Sequence, residues 1–258
     1  MAAETPPRRS RRGIWIGVLA VLAFVVILVA RLPASWLSGF LPKDVACADI
    51  GGTLWSGSCS GFTVKGEPYG DTSWQLHTSA LFRGKLSSHV DVQHPSGTAT
   101  GEIDVTPGGT LEARSLVADF SIDPSSMTQI PPDLRGRVHA ELARLRLEKG
   151  AVTAIEGRVD LQGLEKRDSG HPALGDYTLT FPAKRAQSRA GEPVGDLDSV
   201  SGPWRVQATL RLTKEPGYEI EGLIAVGEGA PPEVVESLGY LGEPDAQGRR
   251  PFSVAGTL

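Results

Sequence analysis

In the stretch "PWRVQATLRLT" apolar and polar residues change places at every step: Trp204, Val206, Ala208, Leu210 and Leu212 fall on one side, Arg205, Gln207, Thr209, Arg211 and Thr213 on the other. Successive side chains of an extended chain point to opposite faces, so this pattern fits a strand with one buried and one wetted face. "KEPG" then supplies turn residues, and "YEIEGLIAV" alternates again through Tyr218, Ile220, Ile224 and Val226, completing a hairpin. The same period runs through "GKLSSHVDV" (Leu86, Val90, Val92), "SLVADFSI" (Leu116, Ala118, Phe120, Ile122) and the closing "FSVAGTL" (Phe252, Val254, Leu258). "GEIDV" and "TLEA" join through Pro107-Gly108-Gly109 as another hairpin. Short strands separated by glycine, proline and polar turns mean a mainly β, antiparallel domain.

Three stretches depart from this rhythm. "DLRGRVHAELARLRLEKGAVTAIEGRVDLQG" has helix-forming residues from Val138 to Leu147, but Gly136, Gly150, Gly157 and Gly163 punctuate it at strand-like intervals, which favours two strands. In "APPEVVESLGYLG", Pro232 suits a first helical turn, Glu233 its positive end, and Gly239 or Gly242 its termination, so one short C-terminal helix is expected. "DPSSMTQIPPD" (123–133) and "AKRAQSRAGEPVGDLDSVSG" (183–202) read as loops or linkers, the second polar, without periodicity and mobile. The first linker divides the β region into possible halves, 47–122 and 134–258.

Ahead of the β region, Gly13 to Ala30 is uncharged and strongly apolar. At 1.5 Å per residue such a helix spans about 27 Å, close to the hydrocarbon thickness of a bilayer. Arg8, Arg9, Arg11 and Arg12 precede it, which keeps a short arm (1–12) in the cytoplasm and sends the chain beyond a transmembrane helix (13–31) outward through a connector (32–46). Trp15 at one end, and Trp36 with Phe40 at the other, suit the headgroup zones. A cleaved signal peptide is the alternative, but its apolar region is usually about 7–15 residues long, and Pro33-Ala34-Ser35 is a poor cleavage site. Gly13 and Gly17 form a G-x-x-x-G spacing through which two anchors could approach. The formal net charge is −4 and, apart from the arginine arm, neither sign is segregated, which argues against a nucleic-acid partner.

Cys47 and Cys59, in "CADIGGTLWSGSC", are the two cysteines of the chain. An outward compartment is oxidising and favours a disulfide between them, with the Gly-Gly break and an extended "TLWS" letting the chain double back. A metal site would need ligand spacing, and His77, His89, His94, His139 and His171 are scattered. Gly57-Ser58-Cys59-Ser60-Gly61 imitates a nucleophile elbow, but glycines and a proline in a strand-like pattern follow where the elbow requires a helix. His89 and Asp91 lie two apart on one strand and share a face, where a solvated surface outweighs an acid–base pair. No phosphate-binding loop or dinucleotide fingerprint is present, and no catalytic residue, cofactor or metal is expected. A tethered β domain offers instead a sheet edge to which a strand can be added, or an apolar face able to hold a lipid chain.

The stretch "GTLWSG" ending at Gly57, the following "DTSWQLHTSALFRGKLSSHV", and the C-terminal region with its Gly-Pro, paired strands, Leu-Gly-x-Pro-Asp-x-x-Gly turn (Leu241 to Gly248) and final Gly-x-Leu resemble the type II secretion system protein N family. The resemblance implies an inner-membrane, periplasm-facing, non-enzymatic component of the Gram-negative machinery that exports folded proteins across the outer membrane. It implies a single-pass anchor with a periplasmic β domain (47–258) and partners among the inner-membrane platform or outer-membrane channel proteins. The cysteine pair is outside that pattern, and 183–202 matches it weakly. Trp55, Trp74 and Trp204 are candidate partner contacts, with a core role as the alternative. The rival function is a periplasmic lipid-binding or lipid-transfer module.

Overall fold

The computed structural model describes residues 11–39, 43–81, 84–122, 133–166, 174–187, 191–214, 217–227, 230 and 232–257. The described chain begins with helix α1 (Arg11–Ala30) and a 3-10 segment (Ala34–Gly39); a second 3-10 turn (Leu238–Tyr240) follows the last helix. Strands β1 (Val45–Ala46), β2 (Asp49–Gly52), β3 (Ser56–Val64) and β4 (Glu67–Leu76) follow, then a one-turn helix α2 (Thr78–Leu81). Next come β5 (Leu86–His94), β6 (Gly97–Val105), β7 (Thr110–Ile122), β8 (Leu134–Glu148), β9 (Ala151–Lys166) and β10 (Gly175–Phe181). Then β11 (Val194–Ser201), β12 (Trp204–Thr213), β13 (Gly217–Val226), a short α3 (Pro232–Ser237) and β14 (Arg250–Thr257) complete it.

Among the described residues all fourteen strands belong to one sheet in which every pairing is antiparallel, and from β3 onward each strand lies beside its predecessor in sequence. The path is a long meander, with β1 and β2 sharing one edge of β3 and β14 forming the opposite edge. The register sorts side chains into two faces. Ala118, Ala140, Val159, Leu179, Leu197 and Ala208 form one cross-strand row from β7 to β12, and the adjacent row is Asp119, His139, Asp160, Thr178, Asp198 and Gln207. Opposite faces one residue apart are the signature of a half-buried sheet. The core lies on the apolar face, where Ala113, Leu142, Phe181, Val206 and Ala208 are buried. That face is the inside of a curl, because β9 and β12 come within 8 Å of each other although β10 and β11 separate them in the sheet. Bulges in β7, β8, β9 and β11 supply the bending.

Several expectations hold in the structure. The ambiguous 133–163 stretch is the β8–β9 hairpin, and Pro232 opens α3. In β12 the alternation is realised with Val206 and Ala208 buried and Arg205 and Gln207 exposed.

Others are corrected. Residues 194–201 of the expected mobile loop form β11, an interior strand paired with β10 and β12. Its alternation is hidden because the inward position Gly195 carries no side chain: a Cβ there would lie 2.7 Å from the Phe181 ring, which fills the space instead. "TLWS" is not extended. It is the tight turn of the β2–β3 hairpin, closed by Thr53 Oγ1 accepting from Ser56 N–H (3.2 Å) and by Ser56 O accepting from Thr53 N–H (2.9 Å), while Gly51 and Gly52 lie in β2. β4 and β5 pair antiparallel, and α2 lies in the connection between them. Among the described residues no helix is long and apolar enough to cross a membrane. The described side chains of α1 run from Trp15 to Ala30 and are exposed throughout. The arginine arm's first ten residues, Phe40, His171 and most of the 123–133 segment lie outside the described residues.

Candidate functional site

The helix–sheet junction collects the cysteines, two of the three tryptophans read as candidate contacts (Trp55 and Trp74) and the "GTLWSG" turn. Cys47 and Cys59 are bonded to each other (S–S 2.06 Å), and Cys59 is buried between β2 and β4. The turn presents Trp55 toward the last turn of α1, where its indole N–H donates to Val29 O (2.9 Å). Val29 O also accepts from Leu32 N–H (3.3 Å), so the indole N–H adds a second hydrogen bond at a carbonyl of the helix's last turn. Leu54 N–H donates to Leu32 O (2.9 Å), and Pro33 bridges to Thr53. On the next strand Trp74 Nε1–H donates to Leu54 O (3.1 Å), and Leu76 N–H donates to Trp55 O (2.7 Å). The exit from α1 is thereby hydrogen-bonded to the β2–β3 turn, which β4 in turn holds through Trp74 and Leu76.

Trp55→Phe keeps the ring and removes one hydrogen bond, so the sheet is expected to lose about 1 kcal/mol. Amide hydrogen exchange at Leu54 and nearby residues should rise while the β8–β9 hairpin stays protected. Unchanged exchange at the junction would show that the indole bond does not hold it.

Trp204 is elsewhere. It pairs with Val226 at the far end of the sheet and is half-buried beside a cleft of about 670 Å³ whose lining includes Arg205, Gln207, Leu223, Gln247 and Arg249. Gln247 and Arg249 reach the cleft from the end of the Leu241–Gly248 turn, in which Asp245 accepts hydrogen bonds from the backbone N–H groups of Arg249 (2.8 Å) and Gln247 (2.9 Å) and from Arg249 Nε (2.9 Å). These bonds, the Arg249 backbone N–H foremost, hold the Asp245 carboxyl below the usual carboxylate range.

The titratable side chains line the polar face in ladders. His89 Nε2 is 3.5 Å from Asp91 and Nδ1 is 3.0 Å from Glu102 of β6, which is also 3.6 Å from His77. The expected His89–Asp91 neighbours are brought together, on a solvated surface. Arg114 binds Asp104 and Glu112, and Arg144 reaches Glu112 (3.4 Å) and Glu156 (3.8 Å). Sequence reading missed the His139 cluster, since Asp119 (2.7 Å) comes from β7 and only Glu141 (3.3 Å) is near in sequence. Among the described residues no group of His, Cys, Asp and Glu could hold a metal ion.

Hydrogen bonding to Asp119 first, and then to Glu141, raises the His139 pKa above its ordinary value. A folded-state pKa raised above the unfolded one contributes stability that is fully present below about pH 6.5 and lost as pH rises through the folded value. His139→Gln should therefore narrow the gap to wild type as pH increases from 5.5 to 8.5 in denaturant titrations. A gap that widens with pH would overturn the assignment.

The sequence profile of the family described as Type II secretion system (T2SS), protein N, matches residues 43–253. The chain is similar to a type II secretion system protein N of Vibrio cholerae serotype O1, 25% identical over 96% of this chain and 100% of that one. It is 23% identical to proteins of the same name from Pectobacterium carotovorum (97% of this chain, 99% of that one) and Aeromonas hydrophila (96% and 100%). No solved structure matches.

Proposed function

Because the chain belongs to the type II secretion system protein N family, we propose that it is a non-enzymatic component of that pathway, anchored in the inner membrane by α1 with its sheet in the periplasm. In this reading residues 1–12 are a cytoplasmic arm, 13–31 cross the bilayer, 32–46 connect, and 47–258 bind other secretion components, inner-membrane platform or outer-membrane channel proteins, during export of folded proteins across the outer membrane.

The observation that carries the anchor is α1 itself. Its 20 residues reach about 30 Å, and Trp15, Leu19, Leu22, Val26 and Val29 are all exposed, so that no side of the helix is reserved for the sheet. A helix apolar all round is stable when its surroundings are apolar too. Trp15 and Trp36 are exposed near its two ends, where headgroups would meet them. The hydrogen bonds at Val29 and Leu32 then fix the sheet close to the membrane surface.

For the partner we assign two surfaces. One is the Trp204 cleft; Trp55 and Trp74 are occupied at the junction. The other is the β14 edge, whose residues Phe252–Thr257 carry no charge and whose Val254 is exposed.

Photoreactive residues placed at Leu223 and at Val254 in the native host test this reading. Adducts to platform or channel proteins, together with reduced secretion on deleting the chain, are the expected result. Adducts to neither class, or release of the chain from membranes by alkaline wash, would overturn it.

A further inference from the structure

Beyond the arginine arm neither sign of charge is segregated along the sequence, but the fold sorts it. In an antiparallel meander alternate connections fall at opposite ends of the strands. Those after β4, β6, β8, β10 and β12 therefore share the end that holds the 53–56 turn and the exit of α1. By sequence these five segments hold seven Lys and Arg against two Asp and Glu, whereas the six at the other end hold three against eight. We propose that the α1 end of the sheet docks on anionic phospholipid headgroups of the bilayer that α1 enters. This rests on the reading of α1 as an anchor and goes beyond it, because the sheet gains a second hold on the membrane surface.

The contact is assembled close to the anchor. Leu76 N–H at the end of β4 donates to the carbonyl of Trp55, the residue whose indole bonds to Val29 O, and α2 follows at once. His77 N–H donates to Ser87 O (2.8 Å) and Lys85 N–H to Ala80 O (3.2 Å), so this connection is tied back onto β5 and holds its tip in place. Leu81 of α2 is 43% exposed, Leu86 at the start of β5 is 45% exposed, and Val105, which pairs with Leu86 from the end of β6, is 36% exposed. Between Tyr69 and Val117 these are the large apolar side chains left exposed among the described residues, and Lys85 is exposed beside them. At about 4.8 Å per strand, β6 lies roughly 15 Å from β3, within the footprint of the anchor's exit.

Two features choose the occupant. The described side chains of α1 are exposed from Trp15 to Ala30 and none is shared with the sheet, so the bilayer it enters begins at the strand ends to which its exit is hydrogen-bonded. That end combines apolar side chains at its nearest connection with basic residues spread over the farther ones: Lys149 after β8, Lys184 after β10 and Lys214 after β12, all exposed. Cations so dispersed match a headgroup layer, which is negative across its plane and acts within about a Debye length. The acidic excess at the other end is directed away from the same surface.

The test uses the full chain in nanodiscs of phosphatidylcholine alone, or of equal parts phosphatidylcholine and phosphatidylglycerol. A photoreactive phenylalanine analogue is placed at Leu81 and, as control, at the exposed Tyr240 of the opposite end. Adducts are identified by mass spectrometry after irradiation. Phospholipid adducts at Leu81 and none at Tyr240 are expected, with a yield at Leu81 that rises with phosphatidylglycerol and falls with added salt. Lys85→Gln should lower that yield in the mixed nanodiscs about fivefold, the effect of one basic residue at an anionic surface. Should the variant misfold, the two probe positions and two lipid compositions in the otherwise native chain still decide. Equal labelling at the two positions, equal yields in the two lipids, or adducts to a second copy in place of lipid would overturn the proposal. A chain that stays in the nanodisc without lipid adducts at Leu81 loses only the docking, and one that does not enter nanodiscs loses the anchor as well.

Discussion

Gly57→Ala is expected to lower the unfolding free energy by about 3 kcal/mol, opposite in sign to the usual gain from replacing glycine where the backbone tolerates alanine. A Cβ at Gly57 would lie 2.5 Å from Trp74 Cζ2, 2.8 Å from Gly51 O and 2.9 Å from Thr53 O. The Trp74 ring can swing away, but the two backbone oxygens cannot move without opening the β2–β3 turn. Moving the ring also breaks its bond to Leu54 O, so overpacking and a lost hydrogen bond add. For a folded part of this size the midpoint should fall by about 6–12 °C, read as tryptophan fluorescence of the full chain in mild detergent. A midpoint equal to or above that of the native chain would mean that the junction is not packed as described.

Removing the disulfide as Cys47→Ala with Cys59→Ala should cost about 3 kcal/mol on the loop-closure estimate for a sequence separation of 12. The loss should be local in its consequences. β1 pairs through Val45 and Ala46 alone, so freeing Cys47 releases its hold on β3 and loosens the path from the 3-10 segment into the sheet. Denaturant titration of oxidised and reduced native protein gives the same comparison without substitution. Equal midpoints would show that the hydrogen bonds of the junction suffice without the bridge. Gly57 and Cys59 share β3, so the combined variants should lose less than the sum of the two changes, which a double-mutant cycle measures.

The strands were legible where large residues take the inward positions. Val206, Ala208 and Leu210 announce β12, and Leu116, Ala118 and Phe120 announce β7, because period two needs only a contrast between neighbours. β11 was illegible because its inward Gly195 gives up its volume to Phe181 on the neighbouring strand, and its opposite face carries two valines, Val194, which is buried, and Val200, which is exposed. The cysteine pair was readable as a bridge from compartment and spacing. The junction was not, since the acceptors of the Trp55 and Trp74 indoles are backbone oxygens 26 and 20 residues away, and a main-chain acceptor leaves no trace in the identity of its residue. The His139 cluster was hidden for a similar reason: its strongest partner, Asp119, is set by the β7–β8 register across a 20-residue separation.

The order of the meander has a consequence for how the protein is made. From β3 onward every strand pairs with the one synthesised just before it, and no pairing waits for a later segment to be inserted between two earlier ones. A chain that emerges in the order of its synthesis can thus extend its sheet one strand at a time from the disulfide-closed hairpin, each new strand docking on the edge just formed. Contacts so local in sequence keep the loop-closure entropy of each step small. The growing end is always the strand farthest from the hairpin, and when emergence finishes that end is β14, which keeps the one long edge that no later strand covers.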